Sequence, residues 1–228
     1  MMRIELQPAY VLHSRPFKDT SLILDCLTHD YGRVAVLAKG ARSAKSRQRQ
    51  LCQPFVPLWL SWQGKSSLKT LTQLEASAPT LMLQGNFLFS GFYLNELLVR
   101  LLPEQDPHSN TYLRYQDCLM QLSEGGDLEP VLRQFEFGFL EDLGYQVDFG
   151  HDAAGTPLIP DGFYSWREDH GWERRAEHSS GFTGAALRAM GVGDWASMDT
   201  RRQAKRLARM MLQPLLGSKP LQSRLLFT

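Results

Sequence analysis

Residues 33–42 read RVAVLAKGAR, and this stretch decides how the first part of the chain folds. Its alternation buries Val34 and Val36 on one face of a predicted strand and turns Arg33 and Lys39 to the other face. Two cations therefore share the outward face of one strand.

Four further segments within the first 78 residues have the same character. They are short, rich in Val, Leu, Trp and Thr, and separated by turn sequences. Together with residues 33–39, the predicted strands are 8–14, 20–28, 54–62 and 68–76. Five short strands in about 75 residues favour a small barrel, and the five-stranded OB-fold, which binds oligonucleotides, is the architecture of this size that fits best.

From Pro79 onward the periodicity changes to that of helices. Thr80 is positioned to cap a helix that Pro103 ends, and further helices are predicted at 109–122 and at 130–143, the last closed by Gly144. The fold class is therefore α+β, an amino-terminal OB-fold barrel followed by an α-helical domain. We expect a nucleic-acid-binding domain at 1–79 and a helical domain at 80–228.

The helical domain carries two further predicted features. Residues 145–181 are rich in Gly, Asp, Pro, Trp and Tyr, and we interpret them as an irregular insert with space for a short hairpin. A basic carboxyl-terminal helix begins near Thr200 and is stopped by Pro214. Its apolar positions follow the i, i+3, i+4, i+7, i+8 spacing and predict a buried face, which comprises Ala204, Leu207, Ala208, Met211 and Leu212.

Charge is distributed very unevenly along the chain, although the formal net charge is only +1. No acidic residue lies between Asp30 and Glu75, a stretch that holds eight Lys or Arg residues, and residues 200–228 hold seven more without an acid. Residues 75–199, by contrast, hold 20 of the 24 acids and only 7 of the 25 bases. Because salt screens charges over about 10 Å, a phosphate backbone senses the local field, so two basic zones predict a polyanion partner.

The segment after residue 40 extends the first basic zone. If 41–50 is extended, Lys45, Arg47 and Arg49 point the same way at roughly 6–7 Å intervals, close to the spacing of phosphates along one strand. Aromatic side chains near these cations could stack on bases, with Phe17 and Tyr31 the best candidates because they adjoin turns.

Several motifs, in collinear order over nearly the whole chain, resemble the RecO family of bacterial recombination mediators. The motifs are VLHSRP (11–16), DTSL (19–22), GR (32–33), KGAR (39–42), LCQPF (51–55), YLNELL (93–98), LRQFE (132–136), LGY (143–145), AKR (204–206) and GSKPLQSR (217–224).

The resemblance implies a DNA-repair factor that is not an enzyme. It implies a protein that binds single- and double-stranded DNA, anneals complementary strands, and works with RecR on strands coated by the single-strand-binding protein SSB, helping to load recombinase. The family's DNA-binding surface falls by motif on Arg15, Arg33, Lys39 and Arg42. We add further cations of the two basic zones to the predicted DNA-binding set, namely Lys45, Arg47, Arg49, Arg201, Lys205 and Arg209.

The resemblance also implies that the helical domain receives the acidic carboxyl tail of SSB. We place the tail at Arg133, with an apolar lining provided by Leu97, Leu101, Leu132 and Phe135. An internal ion pair of Arg133 with Glu129 or Glu136 is the competing interpretation.

One feature departs from the family pattern. Some members carry a zinc site of four cysteines after the third helix, but residues 145–181 contain no cysteine. We therefore predict no metal and no cofactor. The three cysteines, Cys26, Cys52 and Cys118, lie in apolar sequence and are expected to be reduced and structural.

Other classes of function are less well supported by the residues. The sequence has no phosphate-binding glycine loop, no Gly-x-Ser-x-Gly elbow and no His-Glu-x-x-His, and the adjacent acids Glu141–Asp142 and Glu168–Asp169 diverge, so a nuclease is disfavoured. An OB-fold RNA-binding protein is the main alternative, because charge and strand count permit it equally. With no signal peptide or membrane span predicted, we expect a cytoplasmic, nucleoid-associated location.

Overall fold

A computed structural model of the protein describes residues 3–46, 48–176 and 181–227. The chain forms two compact units, one comprising Met1–Gly126 and Ser218–Thr228 and the other comprising Asp127–Gly217. These units differ in extent from the predicted domains, whose boundary at residue 79 stays a prediction. Within the described ranges, no helix is both long and apolar enough to cross a membrane.

The first unit is built on a closed five-stranded barrel, which confirms the predicted OB-fold and α+β class. Its strands are adjacent in the order β1-β2-β3-β5-β4, and all neighbours are antiparallel except the parallel pair β3 and β5. The strands are β1 (Arg3–Phe17), β2 (Ser21–Thr28), β3 (Gly32–Ala38), β4 (Leu58–Gln63) and β5 (Leu68–Ala76).

Alternation along these strands fills the barrel with small and branched apolar side chains. On β3, Val34, Val36 and Ala38 are buried in the barrel core while Arg33 and Leu37 are only half-buried, as predicted. Ala41 and Cys52 also reach this core from the segment that follows β3. The barrel interior is therefore side-chain packing, and any ligand must use its outside.

Two helices and the carboxyl terminus complete the first unit: α1 (Gly85–Leu101), α2 (Ser109–Ser123) and a 3₁₀ helix at Gln222–Phe227. A buried amide connects the barrel to both helices, because Asn95 Nδ2 donates to the Leu12 carbonyl (2.9 Å) and Tyr115 Oη donates to Asn95 Oδ1 (2.6 Å). This network fixes the face of β1 that the helices cover.

Glu96 on α1 holds the carboxyl-terminal segment of the first unit. Its carboxylate accepts hydrogen bonds from the backbone N–H groups of Gln222 (2.9 Å) and Ser223 (2.8 Å) and from the Ser223 hydroxyl (2.6 Å). Partial burial alone would raise the pKa of Glu96, but these bonds and the nearby Arg100 outweigh it, so the pKa lies below its ordinary value.

The second unit combines helices with a small sheet. Its strands pair antiparallel in the order β7-β6-β8. The elements are α3 (Leu128–Asp142), β6 (Phe163–Arg167), β7 (Gly171–Arg175), β8 (Phe182–Thr183), α4 (Gly184–Gly191) and α5 (Met198–Leu216). The predicted hairpin within 145–181 is confirmed as β6 and β7, whereas α4 and the 3₁₀ helix of the first unit were not predicted.

Two predicted helix boundaries are wrong. The first helix begins at Gly85 rather than after Thr80, because the Leu81 N–H is bonded to the Phe55 carbonyl (3.1 Å) and holds the chain in an irregular path. Pro214 lies inside α5 instead of ending it. Proline removes one hydrogen bond, but the affected turn carries the exposed Met210, and the helix ends soon afterwards at Gly217, which adopts φ of 66°.

Candidate nucleic-acid interface

The outer face of β1, β2 and β3 presents a cross-strand row that includes a cation. Arg15 pairs with Ile23, and Ile23 pairs with Leu37, so the three side chains lie side by side on one face. Arg15 is exposed and Leu37 is half-buried. At the end of the same face lies Phe17, which is half-exposed and pairs with Ser21.

The turn between β1 and β2 is attached to the segment that follows β3. The Arg42 N–H donates to the Thr20 carbonyl (2.8 Å), and Arg42 Nη1 donates to the Lys18 carbonyl (3.4 Å). Lys18 Nζ in turn lies 5.6 Å from the centroid of the Phe17 ring. Two exposed cations and one accessible aromatic ring are therefore held together at this end of the barrel.

The described parts of the segment, residues 41–46 and 48–50, are folded into turns rather than extended, so the expected linear row of cations spaced like phosphates is wrong. Successive bonds join the Ser43 N–H to the Gly40 carbonyl (3.1 Å) and the Ser46 N–H to the Ser43 carbonyl (3.0 Å). Ala41 at the start of the segment and Cys52 just beyond its end are buried in the barrel core. Lys45 and Arg49 are nevertheless exposed, while the predicted Arg47 lies outside the described residues.

Arg33 does not lie free on this face. Its side chain is only 14% exposed, Nε donates to the Leu102 carbonyl (3.1 Å), and Nη1 lies 3.4 Å from Glu104 Oε1. The Gln105 N–H also donates to the Arg33 carbonyl (2.8 Å), so the loop after α1 covers this part of β3. The geometry favours a structural role for Arg33 over the predicted contact with DNA.

The other cations near the end of the barrel have no carboxylate partner within the described ranges. The nearest acids in sequence are Asp19, which is exposed in the β1–β2 turn, and Asp25, which faces His13 (3.6 Å) and Arg33 (3.8 Å). These exposed cations, called the barrel cations, are Arg15, Lys18, Lys39, Arg42, Lys45 and Arg49. Lys18 was missed from the sequence, although its position beside Phe17 in a turn was a usable signal.

Of the two aromatic candidates, only Phe17 remains accessible for stacking. Tyr31 packs edge-on against Trp62, with ring centroids 5.3 Å apart, and lies against the barrel core. Tyr31 is therefore primarily a packing residue.

The basic helix α5 of the second unit presents a different environment. Its predicted apolar face is buried, except that Met211 is half-buried. Arg201 pairs with Asp127 (2.7 Å) and Lys205 with Glu129 (3.3 Å). Two further cations of α5 also have partners, since Arg202 pairs with Asp199, and Arg206 donates to the Gly181 carbonyl and lies over the Phe182 ring. The predicted DNA-binding residue Arg209 is exposed and has no partner in the described ranges.

Arg133 forms the internal ion pair that was the competing interpretation of this residue. Its Nη2 lies 2.8 Å from Glu136 Oε1, and the two side chains are 9% and 2% exposed. The residues predicted to line an SSB-tail site with it are also mostly internal: Leu132 and Phe135 are buried in the second unit, and in the first unit Leu97 is buried and Leu101 half-buried. These positions belong to two different units.

The three cysteines are free and buried, as predicted. Burial raises the pKa of Cys52 to about 11, and burial together with Asp25 raises that of Cys26 further. Both thiols are therefore protonated at neutral pH and unreactive.

Comparison with known proteins identifies the family to which this barrel and its helices belong. The family description "Recombination protein O N terminal" matches residues 2–80, and "Recombination protein O C terminal" matches residues 83–225. Similar proteins, each named DNA repair protein RecO, occur in Cellvibrio japonicus (50% identical, covering 100% of this chain and 98% of the relative), Haemophilus influenzae (45%, 100% and 97%) and Photobacterium profundum (42%, 97% and 95%). The chain belongs to the RecO family of DNA repair proteins.

Proposed function

We propose that this protein is a non-enzymatic DNA-repair mediator that binds single- and double-stranded DNA on the barrel and anneals complementary strands. The observation that supports this most strongly is the set of barrel cations, which are exposed and lack carboxylate partners in the described ranges, with Lys18 beside the accessible Phe17 ring. Unpaired Lys and Arg can neutralise phosphates and release counterions, and an exposed ring can stack on a base.

Annealing follows from the same surface without a chemical step. Two DNA strands repel one another through their phosphates, and cations that contact both reduce that repulsion. Base pairing then supplies the free energy, because the protein needs only to bring the strands together. Segregation of most acids into residues 75–199 disfavours DNA elsewhere and concentrates it on the barrel.

On the resemblance to the family, we further propose RecR and the carboxyl tail of SSB as partners, in the cytoplasm at the nucleoid. The buried ion pair of Arg133 with Glu136 supports a structural role for Arg133, so the tail proposal rests on the family resemblance and not on this residue. Titration of an acidic, Phe-ended tail peptide into the wild type and into Arg133→Lys separates the two roles. Equal peptide affinities with a lower free energy of unfolding in the variant are expected, whereas lost affinity at unchanged stability would restore Arg133 to the binding site.

The proposed function is tested by comparing the full chain on DNA and RNA oligomers of matched sequence and by annealing of SSB-coated strands. We expect tight DNA binding, faster annealing than without protein, and intact strands after incubation with Mg²⁺ or Mn²⁺. Preference for RNA without annealing would favour an RNA-binding protein, and strand cleavage would favour a nuclease.

A further inference from the structure

The second unit contains an open groove of about 660 Å³ between the β6–β7 hairpin and α5. Its apolar lining includes the exposed Tyr145 and Met210 and the half-buried Trp166. The buried Trp172 supports Trp166 from below, with the two ring centroids 5.1 Å apart in an edge-to-face arrangement. Grooves of several hundred Å³ accommodate small molecules or a few side chains. Aromatic residues and Met are the types enriched where proteins contact one another, and Met adapts to different partners.

Acidic residues dominate the polar part of the groove lining, which also includes His170 and His151, whose Nδ1 lies 3.2 Å from Asp148 Oδ2. The lining contains Asp148, Asp152, Glu168 and Asp169 and no Lys or Arg. Two of these carboxylates serve the local fold, since Asp148 Oδ1 accepts from the Gly150 N–H (2.7 Å) and Asp152 Oδ1 accepts from the Thr156 N–H (2.9 Å).

The remaining two carboxylates have no such structural task. Glu168 and Asp169 are exposed in the β6–β7 turn and have no partner in the part of the chain that the structure describes. The neighbouring cation Arg167 is instead paired with Glu173 (2.9 Å). Asp169 adopts φ of 64°, a conformation uncommon for a residue other than glycine, at the tip of the hairpin beside the groove.

The chemistry of this lining selects one kind of occupant. Nucleic acid is excluded because its phosphates would face four carboxylates. A metal ion is disfavoured because no three His, Cys, Asp or Glu side chains within the described ranges lie close enough to hold one. A guanidinium group suits the groove, because it pairs with carboxylates and also stacks on aromatic faces.

We propose that this groove binds a basic peptide segment of a partner protein, with an Arg side chain against the half-buried Trp166 and exposed Tyr145 rings and an adjacent apolar side chain against Met210. Charge complementarity between the four carboxylates of the lining and the peptide supplies orientation, and the apolar lining supplies the buried contact. The site is separate from the DNA-binding residues proposed for the barrel, and its test does not depend on them.

The test is titration of the purified full chain with a short peptide of alternating Arg and Leu, and with its counterpart carrying Glu in place of Arg. Binding is followed by fluorescence anisotropy of the labelled peptide and by NMR of the tryptophan indole N–H groups. The Trp172 indole is a specific reporter, because its N–H donates to the Asp148 carbonyl (2.7 Å) at the groove. We expect the Arg peptide to bind and to move this signal, and the Glu peptide to do neither.

A pair of charge-reversal variants locates the binding. Glu168→Lys with Asp169→Lys changes the groove, and Glu124→Lys with Asp161→Lys makes the same change in charge at exposed acids outside it. The affinity of the groove variant for the Arg peptide is expected to be at least about tenfold lower than that of the control variant. Equal affinities of the two variants, equal affinities of the two peptides, or an absence of binding to the wild type would each overturn the proposal.

Discussion

The barrel cations and the cations of the second unit are the same residue types in different electrostatic surroundings. On the barrel, Arg15, Lys39 and Arg42 are exposed and have no carboxylate partner within the described ranges. In the second unit, Arg133, Arg201 and Lys205 lie within 3.3 Å of a carboxylate oxygen. A basic stretch of sequence therefore does not by itself define a phosphate-binding surface, because neighbouring acids decide whether its charge is available.

This comparison predicts opposite consequences for mutations in the two regions. Substitutions of barrel cations should reduce DNA affinity and leave stability nearly unchanged. Substitutions of paired cations in the second unit should instead reduce stability and leave DNA affinity nearly unchanged.

The largest effect is expected at Arg133. Arg133→Ala removes an ion-pair partner of the buried Glu136, and breaking a buried pair from one side costs about 3–5 kcal/mol. Urea denaturation of the wild type and the variant measures this loss. A free energy of unfolding within about 0.5 kcal/mol of the wild type would show that the pair is not structural.

Charge reversal of the barrel is expected to have the next largest effect. Replacing Arg15, Lys39 and Arg42 together by Glu should lower the affinity for single-stranded DNA about 100-fold, or by about 2.7 kcal/mol, because three phosphate contacts become repulsive. Fluorescence anisotropy of a labelled oligonucleotide measures the affinity, and circular dichroism checks that the fold is retained. Retained affinity in a folded variant would place the DNA elsewhere.

Arg33 on β3 and Lys39, which directly follows this strand, provide a matched pair of cations. Arg33→Met should lower the free energy of unfolding by about 2 kcal/mol through loss of its bonds to Leu102 and Glu104, with little change in DNA affinity. Lys39→Met, which removes an exposed and unpaired cation, should lower DNA affinity and hardly change the free energy of unfolding. Urea denaturation and DNA-binding anisotropy of both variants test this contrast. Equal changes of stability and of DNA affinity in the two variants would contradict it.

Glu96 extends the comparison to a carboxylate that binds backbone N–H groups in the first unit. Because its pKa is lowered on folding, its contribution is present above its unfolded-state pKa and is lost as pH falls through the folded-state pKa. Glu96→Gln should therefore cost about 1–2 kcal/mol at neutral pH, and the difference from the wild type should shrink in acid. Denaturation over a pH series tests this, and a difference that does not vary with pH would contradict it.

The smallest change in DNA affinity is expected in α5. Arg201→Gln with Lys205→Gln should alter the affinity by less than about threefold, because both cations are already neutralised by Asp127 and Glu129. The oligonucleotide assay used for the barrel variant measures this. A loss comparable to that of the barrel variant would show that the ion pairs open to receive DNA.

Local patterns predicted most of the fold because they report burial directly. The alternation of Val34, Val36 and Ala38 identified β3, and the spacing of Leu207 and Leu212 identified the buried face of α5. Gly144, with φ of 89°, closed α3 as expected. The helix start after Thr80 was misjudged because the Leu81 bond to Phe55 cannot be deduced from local preference.

The site was predicted less completely, since partners distant in sequence control it. Arg33 and Lys39 look equivalent along the strand, but Leu102, 69 residues away, engages only Arg33. Arg201 and Lys205 appear as free cations until Asp127, which directly precedes α3, and Glu129 in its first turn provide their partners. Lys18 shows the opposite error, because a single Lys in a turn becomes part of a cluster only when Arg42 folds back beside it.

The salt dependence of single-stranded DNA affinity tests the central claim most directly, because it counts the phosphates that are neutralised. If the barrel makes about five phosphate contacts, the logarithm of the affinity should fall with the logarithm of the salt concentration with a slope of about −3.5. The barrel charge-reversal variant should lose about 2 units of that slope, whereas the variant of Arg201 and Lys205 should keep the wild-type value. A wild-type affinity indifferent to salt, or a slope reduced by the α5 variant and not by the barrel variant, would contradict the account.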